Sequence, residues 1–320
     1  MPTTLSFVTL DVFTTTRYTG NPLAIIRVPS STTLTQSQKQ RIAREFNLSE
    51  SVFLHEQTDS DRSDSSVRID IFTAHAEVPF AGHPTVGTAN YVLRILRHDD
   101  PLNGVRALQA KAGRFGITLD DSVAGTRVAV AHNVHVHSSP FAGRSYAAYP
   151  VVSIVKGMTF ILARLPNLDA LKNQSGNLVG TENTYTSQNA LDEGWRTGIV
   201  CTYFYVDLGP SSGSDSTTRH LRTRMFGSRE DPATGSAASA LTSYLSLQHT
   251  GTPGRYKYHI TQGVEMGQQS EIAVEVSTRS SDASTNKSGA GMAIDEVLLG
   301  GSAVLNMQGT LEVPDDDSEE

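Results

Sequence analysis

The sequence is poor in cysteine: Cys201 stands alone in 320 residues. One thiol cannot close an intrachain disulfide, so a reducing compartment is expected. Runs of Lys or Arg are also missing. The chain has 26 basic against 33 acidic residues, a net charge of −7. Phosphate backbones need clustered positive charge, so nucleic acid is excluded as an expected partner. Part of the acidic excess lies in PDDDSEE (314–320), which reads as a solvated tail. No apolar run approaches the roughly 20 residues that cross a bilayer, so no membrane partner is expected. The opening MPTTLSFVTLDVFT lacks a basic stretch followed by a continuous apolar one, so no signal peptide is expected. These absences predict a soluble cytoplasmic protein. No Walker-type phosphate loop is present, and GTANYV (87–92) is not a dinucleotide fingerprint.

What is present suits a packed core. The apolar fraction is 38%, and the length allows one large or two ordinary domains. Apolar alternation predicts strands at 5–13, 17–28, 49–57 and 66–74, and again at 107–121 and 127–137. A helix is predicted over 34–47, with Thr35 as N-cap and Gln38 completing a capping box. A second helix is expected from Pro84 to about Arg97. Beyond residue 148 the style repeats: a β-rich stretch at 149–165, a short helix and turn at 168–180, strands at 198–209 and 220–227. A helix opened by Pro232 follows, running to about 249. The organisation expected is an N-terminal lobe over 1–138, a C-terminal lobe over 139–313 whose last strand could return to the first, and the tail at 314–320. Two Ser/Gly-rich stretches, 210–218 and 277–291, read as surface loops.

Two helix entrances stand out. AHAEVPFAGHPTVGTANYVL (74–93) and SREDPATGSAASALTSYL (228–245) both read Pro-x-x-Gly-Thr/Ser-Ala, at 84–89 and 232–237. Free N–H groups in the first helical turn, backed by the helix dipole, suit a carboxylate-bearing ligand. The small residues Gly87, Ala89, Gly235, Ala237 and Ala238 imply helices buried in tight space, such as the inside of a barrel. A Gly/Ala-rich helix start can also be plain packing. The duplication, with His83 and Asp231 at the two entrances, favours a site for a small anionic molecule.

Taken together, DVFTTTRYTGNPLAI (11–25), NLSES (47–51), FTAHAEVPFAGHPTVGTA (72–89) and EDPATGSA (230–237) make the chain resemble the PhzF-like proteins, named for the phenazine biosynthesis isomerase. The resemblance implies an α+β fold of the diaminopimelate epimerase type. That fold has two pseudo-symmetric lobes, each a β-barrel-like sheet around a central helix, with the active site between them. It implies a homodimer that uses no metal and no organic cofactor. It also implies a reaction: a glutamate moves a proton between carbons of a cyclohexadiene carboxylic acid. Carried to this sequence, that glutamate is Glu50. His83, Asp231 and Ser236 match the other active-site positions, and Gly82 supplies a backbone contact.

The residues can be read for that chemistry. Proton transfer at carbon needs a base near the C–H bond and donors for the developing charge. Glu50 precedes the core-like VFL, where desolvation is expected to raise its pKa; its plainer reading is a surface carboxylate. His83 could hydrogen-bond substrate or pair with its carboxylate, or merely fix the turn. Asp231 could accept from a substrate amine or hydroxyl, orient His83 or act as a second acid/base; directly before a helical proline it could also be an N-cap. Thr85, Gly235 and Ser236 are candidate substrate contacts, although a first-turn hydroxyl can instead bond backbone. Glu77 reads as support for its loop. Three functions stay open: an isomerase moving a proton and a double bond on a small cyclic or unsaturated carboxylated substrate, a related enzyme of secondary metabolism catalysing a pericyclic or elimination step, and a non-catalytic binding protein.

Two further features receive plainer readings. Cofactor-free epimerases of this fold use a cysteine at each entrance, whereas here Cys201 lies in an apolar strand and is expected to be buried and inert. His132, His135 and His137 (HNVHVH) alternate on an expected strand, with no acidic or thiol ligand close in sequence. They read as exposed strand histidines, and no metal is assigned.

Overall fold

The computed structural model describes residues 3–102, 104–142, 148–186, 191–210, 217–249, 253–280 and 291–316. Most of the loop at 210–218, most of the stretch at 277–291 and the end of the acidic tail lie outside them. By contacts the chain forms two compact units, Met1–Ala129 with Gly300–Glu320, and Val130–Leu299.

The first lobe comprises β1 (Thr4–Val12), β2 (Asn21–Val28), α1 (Gln36–Phe46), β3 (Ser51–His55), α2 (Asp59–Ser63), β4 (Ser66–Phe72), β5 (Glu77–Val78), α3 (Gly82–Asn90), β6 (Ala107–Ala110), β7 (Gly113–Asp120), β8 (Gly125–Ala129) and, from the end of the chain, β20 (Ala303–Glu312). β1 pairs antiparallel with β2 and β20, β2 parallel with β3, β3 antiparallel with β4, β4 parallel with β6, and β6, β7 and β8 continue antiparallel. Alternation along β2 feeds two layers. Ala24, Ile26 and Val28 join Leu5, Phe53 and Phe72 beneath Ile42 and Ala43 of α1. Leu23, on the opposite face, packs on Gly87 of α3. Every residue of α3 is buried, so this helix is hydrophobically unbiased, as a central helix must be.

The predicted capping box of α1 is formed. Thr35 Oγ1 accepts from Gln38 N (3.2 Å) and the Gln38 side chain accepts from Thr35 N (3.0 Å). The second helix differs from expectation. It begins at Gly82, with Ala81 as N-cap, and is α-helical only to Asn90; a wider π-helical turn follows over Tyr91–Ile95. Asn90 Nδ2 donates to Val86 O (2.9 Å), competing for a carbonyl of the regular ladder, and also to Thr126 Oγ1 and Gly301 O.

The second lobe comprises β9 (His135–Val136), β10 (Phe141–Ala142), β11 (Ala148–Tyr149), β12 (Val151–Val155), β13 (Met158–Arg164), α4 (Leu168–Lys172), β14 (Ile199–Pro210), β15 (Thr218–Phe226), β16 (Glu230–Asp231), α5 (Gly235–Leu247), β17 (Arg255–Gln262), β18 (Ser270–Ser280) and β19 (Met292–Gly301). The expected single strand over 127–137 is therefore two, with β8 ending at Ala129. The pairings repeat those of the first lobe: β12 antiparallel with β13, β13 parallel with β14, β14 antiparallel with β15, β15 parallel with β17, and β17 antiparallel with β18. Even the two-residue strands correspond, β5 on β4 and β16 on β15. The helix α5 is buried from Gly235 through Ser243 and packs on β12, β13, β17 and β18, as α3 does on its own sheet.

This correspondence corrects the alignment of the two entrances. Pro232 does not open a helix; it lies two residues before the N-cap Thr234. The matching elements are EVPFAGHP (77–84) and EDPATGSA (230–237), so that Pro79 answers Pro232, Gly82 answers Gly235 and His83 answers Ser236.

Candidate active site

NLSES is built to present one carboxylate. Asn47 ends α1 in the left-handed region (φ 50°), where its N–H still reaches Ala43 O. Leu48 then packs on the core beneath α1. Ser49 Oγ donates to Oδ1 of Asn21, a fully buried residue at the start of β2 (3.1 Å). Ser51 enters β3 opposite Phe72. Glu50 is thus held between a tethered residue and a central strand. Its Oε2 lies 3.0 Å from Nδ1 of His83, and its side chain keeps 20% of its surface exposed against 3% for the histidine. Sequence reasoning found both residues but missed Ser49 and Asn21; the Gly-Asn-Pro turn pointed to Asn21 only as a turn residue.

His83 is the second residue of α3, whose N-cap Ala81 offers no side-chain hydrogen bond. Pro84 has no N–H, so the donors of the first turn are Gly82 and His83 themselves. Nε2 of His83 is buried and has no hydrogen-bond partner among the described residues. Buried ring nitrogens are normally paired, so this one marks a place for a ligand atom. Thr85 is different. Its hydroxyl donates to Ala81 O (2.7 Å) and it has no exposed surface. The backbone-bonding reading therefore fits Thr85, because a helical threonine with an acceptor four residues back satisfies itself locally.

In the second lobe Asp231 is not the helix cap. It belongs to β16, opposite Met225, and its Oδ2 accepts from Thr234 Oγ1 (2.5 Å). Behind it lies Gln262, fully buried, whose Nε2 donates to Asp231 O (2.8 Å) and whose Oε1 accepts from Tyr203 (3.0 Å) and from Thr234 N (3.3 Å). Nothing in the sequence marked Gln262, since glutamine in a strand carries no motif. Gly235 and Ser236 form the first turn of α5, again without a side-chain cap, and Ser236 is 3% exposed. Gly82 and Gly235 occupy the same place in the two lobes.

The remaining candidates are structural. Glu77 accepts from Lys111 Nζ (3.0 Å) and Gln36 (3.1 Å), as support for its loop. Its counterpart Glu230 holds Arg224 bidentately (2.7 and 2.8 Å), and that guanidinium also donates to the carbonyls that end α4. Cys201 is 2% exposed. Burial first, and the Asp231 charge second, push its thiol up to about 12, so it stays a neutral core group. The reading of HNVHVH as exposed histidines is corrected: His137 is 5% exposed, and Asp192 approaches both His135 and His137 from a distant turn. No helix among the described residues is long and apolar enough to cross a membrane.

Similarity to known proteins agrees with this construction. The family described as "Phenazine biosynthesis-like protein" matches residues 10–309. An uncharacterized isomerase of Mesorhizobium japonicum is 30% identical over 86% of this chain and 92% of its own. The trans-2,3-dihydro-3-hydroxyanthranilate isomerase of Pseudomonas aeruginosa is 32% identical over 83% of this chain and 88% of its own. A crystal structure of a PhzF-family phenazine biosynthesis protein from Bacillus anthracis, 18% identical, superimposes with a TM-score of 0.66 over 97% of this chain and 99% of that one. The α+β fold with a repeated helix-centred lobe is thus shared, and the chain belongs to the phenazine biosynthesis-like protein family as one of its isomerases.

Proposed function

We propose that the chain moves a proton, and with it a double bond, on a small unsaturated carboxylated substrate, with Glu50 as the group that takes and returns the proton. The observation that carries this reading is the Glu50–His83 pair at 3.0 Å, with the other imidazole nitrogen buried and unpaired. An unsatisfied buried polar atom costs about 1–3 kcal/mol, which a substrate oxygen or nitrogen at Nε2 would recover. In the forward step the Glu50 carboxylate takes a proton from an sp3 carbon. The C–H electron pair becomes part of a conjugated system that delocalises the charge toward the substrate carboxylate. Glu50 then gives the proton to a second carbon of that system, and the double bonds shift accordingly. First-turn N–H groups at Gly82 and His83 suit the developing charge. Asp231 and Ser236 are assigned by the same proposal to the polar groups of the substrate, Asp231 to an amine or hydroxyl.

Trans-2,3-dihydro-3-hydroxyanthranilate, named for the Pseudomonas relatives, has a carboxylate, an amine, a hydroxyl and a diene, and is the first compound to test. Turnover is expected, with solvent deuterium entering the product at carbon. Glu50→Gln is expected to lose at least about 100-fold in kcat, the usual share of a positioned acid/base, while still binding the compound in calorimetry. A fully active Glu50→Gln enzyme would remove Glu50 as the base. Turnover that survives that substitution without deuterium uptake would favour cyclisation or elimination.

A further inference from the structure

We propose that His135, His137 and Asp192 of the second lobe form a binding site for a first-row divalent cation of the zinc class. The two histidines are alternate residues at β9, so their rings share one face and meet edge-on at 4.7 Å. The turn at 191–196 brings in the third donor. Leu191 anchors that turn in the apolar cluster with Val151, Ile161 and Val200, and Trp195 stacks on His135 at 4.4 Å, 9° from parallel. One donor atom from each of the three residues lies within 4.8 Å of the others. His135 Nε2 is 2.8 Å from Asp192 Oδ2, and His137 Nδ1 is 3.9 Å from the same oxygen.

The surroundings orient these donors as ligands are oriented. Asp192 N donates to His137 Nδ1 (3.1 Å), so Nδ1 carries the lone pair and Nε2 carries the hydrogen, which faces Ser153 Oγ at 2.9 Å. Ser153 is in turn bonded to Thr159 (2.6 Å). The Asp192 carboxylate also accepts from Ser138 N and Oγ. A ring nitrogen fixed by an outer partner, and a carboxylate held by further donors, are the arrangement that tunes metal sites. Loading the site requires the Asp192 amide to yield Nδ1 to the cation and the 3.9 Å gap to close. Two imidazoles and one carboxylate select zinc, copper(II) or nickel over magnesium and calcium, which take oxygen donors alone. Three protein donors leave one tetrahedral position for solvent. The cation would clamp β9 to the 191–196 turn.

Trp195 is the only tryptophan of the chain, which makes its emission a site-specific reporter. Full-length protein stripped with EDTA is titrated with Zn2+ in a calorimeter and with Cu2+ while the emission is followed. One equivalent of Zn2+ is expected, together with Cu2+ quenching that saturates at one equivalent. His135→Gln and Asp192→Asn, both at partly exposed positions, are each expected to weaken binding at least about tenfold, the loss that even an outer partner of a ligand can cause. Circular dichroism confirms that the variants are folded. Absence of saturable Zn2+ binding overturns the proposal. So does unchanged affinity in both folded variants, which would place the cation on other histidines. The readout is binding and not turnover, so the result is independent of the role of Glu50.

Discussion

Replacing Gly87 with alanine tests whether the position of α3, and with it His83, is set by close packing. A Cβ built on Gly87 falls 2.5 Å from Leu23 Cδ2 and 2.7 Å from Val12 Cγ2. Carbon atoms in ordinary contact stand about 3.5–4.0 Å apart, so both neighbours would have to retreat by about 1 Å. Neither has free space, since Leu23 and Val12 are completely buried. Overpacking of this kind costs about 1–3 kcal/mol, and two simultaneous clashes argue for the upper end. Alanine returns about 1 kcal/mol through its better helix propensity. The expected net loss is about 2 kcal/mol in urea denaturation followed by circular dichroism. Leu23→Ala, which removes one clashing side chain, supplies a double-mutant cycle. The double variant should be more stable than the sum of the single losses, by about 1 kcal/mol or more. Because His83 lies one turn before Gly87, displacement of α3 should also lower kcat/KM, by about tenfold or more under conditions where the variant is folded. An alanine variant as stable as the parent, with strictly additive behaviour in the cycle, would refute the packing argument and leave the placement of His83 without this cause.

Other expectations concern the supports of the site and the core. Ser49→Ala removes the tether to Asn21 and should reduce kcat more than it changes binding, with stability lowered by only about 1 kcal/mol. Glu230→Gln strands the 92% buried Arg224 and should cost about 3–5 kcal/mol, whereas Glu77→Gln, whose partner Lys111 is largely exposed, should cost less than about 1 kcal/mol in the same urea assay. Burial opposes ionisation of Asp70, yet the His55 ring and the Lys39 ammonium beside it hold its carboxyl down at about 2. A folded value below the ordinary 3.8 stabilises the protein above that pH, and the gain is lost as pH falls toward about 2. Asp70→Asn should therefore cost about 2 kcal/mol at pH 6 and little at pH 2. Cys201 should resist thiol reagents in the native protein and react fully in denaturant.

The local grammar of the fold was legible where chemistry is local. Thr35 and Gln38 specified a capping box, and the alternation of β1 and β2 specified strands, because both signals lie within one element. Helix starts were misplaced because proline was taken as the first-turn marker. Pro84 comes third in α3 and Pro232 lies outside α5, with Ala81 and Thr234 as caps that lack the usual side-chain bond. The site divided along the same line. Glu50 and His83 were found by motif, and the 3.0 Å contact between them joins residues 33 apart. Gln262, Asn21 and Asp192 act through long-range contacts, and no spacing in the sequence encodes them. HNVHVH shows this most clearly, since the carboxylate that changes its meaning arrives more than fifty residues later.

The repeat explains why a short list of residues differs between the lobes. Both lobes use the same strand pairings, the same two-residue strand and the same turn into a buried helix. At equivalent positions the glutamates of β5 and β16 hold a cation each, the prolines leave the strand, and Gly82 and Gly235 start the helix. These are demands of the backbone, and both copies meet them with the same residue types. Of the five positions at which EVPFAGHP and EDPATGSA differ, two exchange a titratable side chain for one that is not: Val78 against Asp231 and His83 against Ser236. In neither place does the backbone need the particular side chain: β5 forms with valine where β16 has aspartate, and an uncapped first turn accommodates histidine as it does serine. Differences that the scaffold does not require are where selection for chemistry can act. The first lobe therefore carries the imidazole that meets Glu50, and the second carries a carboxylate that accepts from Thr234 and whose backbone carbonyl is held by Gln262, so that one folding solution presents unlike side chains in its two copies.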